Sequence, residues 1–160
     1  SRFQVRAWLD EALLLVQQQA RKQHVELYLN IEGDYYAEGD RSQLQQVLVN
    51  LLLNAIQASP EGATVEVGVE ADAEQLRVRV SDRGSGIDPQ VMERIFDPFF
   101  TTKAVGEGSG LGLSISLGIV ERHGGTLSID NNSAGGVTAT VMLPARQRQT
   151  ERDEVQRAAN

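Results

Sequence analysis

The sequence predicts an α+β domain, a two-layer sandwich in which helices and strands segregate into separate layers. Three observations predict it. The order of periodic segments is helix, strand, helix, strand, strand, loop, helix, strand, strand, which is not the strict alternation of a doubly wound parallel sheet. Neither G-x-G-x-x-G between strand and helix nor G-x-x-x-x-G-K-[ST] occurs, so Rossmann and P-loop geometries are excluded. The 160 residues suit one domain with a core of its own.

The elements follow in order. Residues 7 to 22 carry Leu9, Leu13, Val16 and Ala20 at helical spacing. Val25, Leu27, Leu29 and Ile31 alternate with polar residues, the period of a strand; His24 is expected to open it. Asp40 with Gln43 three residues on matches a capping box, opening a second helix that ends near Ser59-Pro60. Val65, Val67 and Val69 give a strand, and Leu76, Val78 and Val80 its antiparallel partner across an acidic turn. Residues 97 to 109 lack periodicity and are rich in glycine, a loop. Gly110 to His123 is helical again, stopped by Gly124-Gly125; a positive charge on His123 would suit the helix dipole there. Thr126 to Asp130 and Val137 to Leu143 are the closing strands. Residues 145–160 are a polar tail, frayed helix or disorder, after a domain spanning 1–144. Because structured sequence starts almost at Ser1, the chain is expected to be part of something longer.

Composition excludes several function classes. A net charge of -7 lacks the basic footprint of a nucleic-acid binder. No apolar run approaches the roughly 18 residues of a membrane span, and no signal-peptide pattern opens the chain. With zero cysteines there are neither disulfides nor thiolate metal sites. An acidic chain can still hold a polyphosphate if the positive field is local: a metal ion, backbone N–H groups or a few basic side chains. Only two lysines are present, Lys22 and Lys103.

Four ordered segments carry the chemistry. In the second helix Leu44, Val47, Leu48, Leu51 and Ala55 form the apolar stripe, and Asn50 and Asn54, four apart, lie together at its edge. Two half-buried amides need partners. These are either neighbouring backbone or a hard cation such as magnesium, which takes oxygen ligands. Asp82 shares strand parity with Leu76, Val78 and Val80 and therefore points inward. An inward carboxylate requires donors: turn amides in Gly84-Ser-Gly86, or the exocyclic amine of a purine. The third segment, Phe96 to Lys103, holds three of the four phenylalanines, suited to anchoring a flap, docking a partner or packing a core. The fourth, Gly106 to Leu113, places free backbone N–H groups at a helix start, where phosphate binds well.

On these segments the sequence resembles the catalytic, ATP-binding domain of a sensor histidine kinase, over roughly residues 1 to 144. The wider superfamily includes gyrase B and MutL. The matching motifs are the asparagine box around Asn50 and Asn54, the first glycine box Asp82-x-Gly84-x-Gly86, the phenylalanine box Phe96 to Phe100, and the second glycine box Gly108-x-Gly110-Leu-Gly112-Leu. The resemblance implies the Bergerat fold, with a mixed, mostly antiparallel sheet covered on one face by helices and ATP held beneath a lid. It also implies site roles. Asp82 would recognise adenine, with Gly84, Gly86, Ile87 and Thr138 in the same pocket. Asn54 would ligate Mg²⁺ and Asn50 would flank the phosphates. Gly108, Ser109, Gly110, Leu111 and Gly112 would meet the triphosphate. The run Gly110 to Ser116 with Thr101-Thr-Lys103 is most similar to the nitrogen-regulation and dicarboxylate-sensing branches.

Two departures shape the expected mechanism. Many members carry a basic residue three positions after the magnesium asparagine; here it is Gln57, so Lys103 or Arg94 would supply positive charge. The phosphoacceptor histidine of the family lies in a preceding dimerisation domain, and neither His24 nor His123 fits its motif. The resemblance therefore implies an ATP:protein-histidine phosphotransferase, homodimeric at full length, serving a response regulator, as the cytoplasmic part of a receptor that can be anchored in the inner membrane. Hydrolysing relatives place a glutamate base at the position of Asn50, and an asparagine cannot act so. Two other readings share the nucleotide fold: an anti-sigma-type serine kinase, and a nucleotide-gated docking module without transfer.

Overall fold

The computed structural model describes residues 1–98, 100, 112–145 and 158–159. Strand β1 (Arg2–Gln4) leads into α1 (Val5–Lys22), β2 (Glu26–Ile31), β3 (Tyr36–Glu38), α2 (Arg41–Ala58), β4 (Thr64–Ala71) and β5 (Gln75–Ser81). A single-turn helix α3 (Pro89–Met92), then α4 (Gly112–Arg122), β6 (Thr126–Asn131) and β7 (Val137–Pro144) complete it.

The main sheet runs β2-β4-β5-β7-β6. Only β2 and β4 pair in parallel; the other three pairings are antiparallel. A parallel pair needs a long crossover, and α2 supplies it. The period-2 pattern sets the faces. Val67 lies opposite Val80, and Val80 opposite Ala139; Val69, Val78, Val141 and Leu127 form the next row. All of these are buried in one core with α1, α2 and α4. The opposite face carries Glu66, Arg77, Thr140 and Ser128, with an Arg79–Glu70 ion pair at 2.7 Å. The expected two-layer sandwich and its one-sided helix cover are thus present.

Helix α2 is buried more broadly than one stripe. Leu52 and Ile56 join Leu44, Val47, Leu48, Leu51 and Ala55, because α1 and α4 pack on its flanks while its inner side meets β4 and β5. Its start corrects the capping box. Asp40 Oδ1 accepts from Gln43 N at 3.1 Å, but the Asp40 N–H donates to His123 Nε2 at 3.0 Å instead of to the Gln43 side chain. His123 Nδ1 lies 2.7 Å from the Ile119 carbonyl oxygen. His123 thus bridges the Asp40 N–H at the start of α2 and the last turn of α4.

His24 does not open the strand either. It sits at φ 55° beyond α1, with its own N–H on Arg21 O and the Val25 N–H on Ala20 O at 2.9 Å. That is a Schellman cap, with histidine in the left-handed position usually given to glycine. Helix α4 ends in the same motif with Gly124 at φ 75° and Gly125 N–H on Val120 O. Strands β1 and β3, three residues each, pair through Phe3 and Ala37 and are too short to show a period. Of the tail, residues 146–157 and 160 lie outside the described residues.

Candidate functional site

The site lies along α2, between the loop after β5 and the start of α4. At one end Asp82 continues the inward parity of Leu76, Val78 and Val80 and is 5% exposed. Its Oδ1 accepts the N–H of Gly84 at 2.9 Å and of Val137 at 3.1 Å. Its own N–H donates to Val137 O at 2.9 Å. Both charge-assisted bonds fall on one oxygen, so the turn-amide role is real and takes up Oδ1 alone. Side-chain bulk is missing around this carboxylate for a steric reason: a Cβ on Gly136 would strike the Asp82 carbonyl oxygen, and one on Gly84 the Ala58 carbonyl oxygen. Gly86 adopts φ 78°, which glycine tolerates.

At the other end, Asn50 Nδ2 donates to Ser116 Oγ of α4 at 3.3 Å. Ser116 is 2% exposed. Gly112 opens α4 against the same amide: a Cβ there would lie 2.7 Å from Asn50 Oδ1. Half-buried Asn54 stands one turn further along α2. Gly84 therefore abuts α2 at Ala58 and Gly112 abuts it at Asn50. Eight residues at the helical rise separate those contacts by about 12 Å. Asn54 lies between them.

Thr138 and Ile87 are held by residues that the sequence reading did not single out. Thr138 Oγ1 lies 3.0 Å from Ser81 Oγ, its register partner. By strand alternation it faces away from core-facing Ala139, and it joins Asp82 through Asn132. The Asn132 Nδ2 donates to Asp82 O at 3.0 Å and to Thr138 Oγ1 at 3.2 Å. Its Oδ1 accepts from Ala134 and Gly136 N–H. Asn131 clamps Ile87, accepting its N–H and donating to its carbonyl, both at 2.8 Å. The signal for this pair was legible: two asparagines before Ser-Ala-Gly-Gly mark a side-chain-capped turn.

Arg94 is placed on the phenylalanine box. Its guanidinium lies 4.8 Å from the Phe100 ring centroid and 3.8 Å from Asp97. Phe96 packs on the core beside buried Ile95, the core-packing role among the three that the sequence left open. Lys103, Gly108, Ser109, Gly110, Leu111 and Phe99, with the rest of the expected lid, lie outside the described residues. The resolved carboxylate shifts belong to exposed groups elsewhere in the fold. Arg41, with Gln45, holds Glu11 below its usual value, and turn N–H groups of Glu74 and Gln75 do the same for Asp72.

Residues 39–147 match the family model described as histidine kinase-, DNA gyrase B-, and HSP90-like ATPase. The chain belongs to that family. Among curated relatives, sporulation kinase A of Bacillus subtilis is 34% identical over 86% of this chain and 23% of its own length. Sensor protein FixL of Bradyrhizobium diazoefficiens is 41% identical over 86% of this chain and 28% of its own. The chain thus spans about a quarter of these proteins. Among solved structures, the nucleotide-free catalytic domain of histidine kinase ThkA superposes with a TM-score of 0.82 at 34% identity, covering 91% of this chain and 95% of that one. ThkA also matches in its complex with the response regulator TrrA, with a TM-score of 0.72 at 32% identity, over 91% of this chain and 41% of that one. Its fold is that of a histidine kinase catalytic domain, an ATP-binding type. Among the described residues no helix is long and apolar enough to cross a membrane.

Proposed function

We propose that residues 1–144 form the catalytic domain of a two-component sensor histidine kinase. It moves the γ-phosphoryl group of ATP to a histidine on a dimerisation domain outside this chain. The single observation that carries this reading is Asp82. Its Oδ1 is committed to two backbone N–H groups, so Oδ2 is the oxygen assigned to the adenine amine. Gly84 and Gly136 pack without a Cβ against Ala58 and Asp82, which keeps the turn close around this carboxylate. From there the nucleotide runs along α2, past Asn54, toward Asn50 and the start of α4.

Among the described residues there is no cluster of three or more His, Cys, Asp or Glu fit to hold a metal. Mg²⁺ would instead be held by the Asn54 side-chain carbonyl oxygen together with phosphate oxygens, where it would neutralise charge on the transferring group. Asn50, braced by Ser116 and Gly112, orients the phosphate end and offers no base to activate water. Catalysis by the chain is then positioning of the phosphates toward an incoming nucleophile. Arg94 and Lys103 are assigned the remaining positive charge, and Gly108, Ser109, Gly110 and Leu111 the backbone contacts to phosphate. The full-length protein would be a homodimer whose phosphohistidine serves a response regulator, on the cytoplasmic side of any membrane anchor.

Asp82→Asn tests the reading. An asparagine keeps Oδ1 for Gly84 and Val137, so the fold survives, while Nδ2 cannot accept an amine. ADP affinity measured by calorimetry should fall about tenfold or more. Unchanged affinity in the folded variant would overturn the adenine assignment.

A further inference from the structure

We infer that Asn132 is a positioning residue for base recognition, setting the orientation of Asp82 from the far side of the β6–β7 turn. This rests on the reading of Asp82 as the adenine acceptor. Asp82 is the first residue beyond β5, where regular ladder pairing ends; its N–H still bonds to Val137 O of β7, but its carbonyl lies past the ladder. Asn132 holds that carbonyl by using both ends of one amide. Oδ1 is committed to the N–H groups of Ala134 and Gly136, which orients the side chain. Nδ2 is then directed at two acceptors, Asp82 O and Thr138 Oγ1. The backbone of Asn132 closes the same turn, its N–H on Gly136 O at 2.9 Å and its carbonyl accepting from Gly135.

The turn so fixed presents Gly136 and Val137 to Asp82. Gly136 packs against the Asp82 carbonyl, where no Cβ fits. The Val137 N–H bonds to Oδ1. Asp82 is therefore held at three points from this side, at its carbonyl by Asn132 Nδ2 and at its N–H and carboxylate by Val137. With all three held, the carboxylate torsion is set and Oδ2 has one direction. Loss of Nδ2 frees the first point while leaving the turn capped. A turn that merely ended a hairpin would have no need of a donor reaching across to the β5 exit.

Titration calorimetry with ADP, IDP and inorganic triphosphate tests this. IDP replaces the exocyclic amine with a carbonyl, and triphosphate has no base. Asn132→Asp keeps Oδ1 and removes the donor; Asn132→Ser keeps a short turn-capping hydroxyl, also without a donor that reaches Asp82. Wild-type protein should favour ADP over IDP by about tenfold or more. In both variants that preference should shrink by about fivefold, with triphosphate affinity within about twofold of wild type. The charge differs between the two variants, so a shared result belongs to the lost donor. A preference retained in either folded variant would overturn the proposal. So would an equal loss for all three ligands, the mark of a purely structural turn. If wild-type protein itself shows no preference, the adenine role of Asp82 fails first.

Discussion

Gly112→Ala separates stability from function at the phosphate end of the site. Alanine normally stabilises a helix relative to glycine, by up to about 1 kcal/mol. Here the new Cβ would sit 2.7 Å from Asn50 Oδ1, 3.0 Å from Nδ2 and 3.1 Å from Cγ, inside contact distance of the whole amide. The amide is the far end of a side chain and can rotate away, but doing so breaks its 3.3 Å bond to Ser116 Oγ. That bond contributes about 1 kcal/mol, and stranding the buried Ser116 hydroxyl adds to its loss. The two effects offset each other. Thermal unfolding should thus change by no more than about 2–4 °C, while Mg-ATP affinity should weaken about tenfold, since Asn50 no longer points along α2. Differential scanning fluorimetry and nucleotide titration on the same preparation give both numbers. A stabilised variant with full affinity would refute the claim that Gly112 is kept bare to hold Asn50.

The remaining predictions address the metal, the brace between helices and the core. Asn54→Ala should leave ADP binding in EDTA within about twofold and remove the gain on adding Mg²⁺; a retained magnesium effect in calorimetry would exclude Asn54 as a ligand. His123→Phe keeps ring bulk beside Gly39 but removes the acceptor of the exposed Asp40 N–H, so urea unfolding should show a loss of about 0.5–1.5 kcal/mol, and an unchanged midpoint would dismiss the brace. Ile56→Ala removes a side chain of 0% exposure and should cost about 2–5 kcal/mol in the same assay; a loss below about 1 kcal/mol would mean that the core collapses around the gap.

The layers were legible in the sequence because they rest on period. Val65, Val67 and Val69 against Leu76, Val78 and Val80 specify an antiparallel pair, which the structure forms with Val67 opposite Val80 and Val69 opposite Val78. The same parity placed Asp82 inward. The parallel β2–β4 pairing was not legible from period, since alternation says nothing of strand direction. Bonds between elements distant in sequence were hidden too. His123 sits 83 residues from the Asp40 N–H it accepts, and Asn132 sits 50 from the Asp82 carbonyl. Local rules favoured a reciprocal bond from the Gln43 side chain to the Asp40 N–H, and the tertiary contact with His123 took that N–H instead. The Schellman cap at His24 escaped notice because the left-handed position normally announces itself by glycine.

The central claim is transfer of a phosphoryl group to histidine, and one measurement meets it directly. The protein is mixed with a histidine-bearing dimerisation domain, Mg²⁺ and ATP labelled at the γ-phosphate, and the labelled polypeptide is tested for acid and base stability. Label on the dimerisation domain that is lost in acid, retained in base and, at ATP below its Kd, reduced about tenfold or more with Asp82→Asn is the predicted result. Acid-stable label on a serine, or release of inorganic phosphate without any labelled protein, would contradict it.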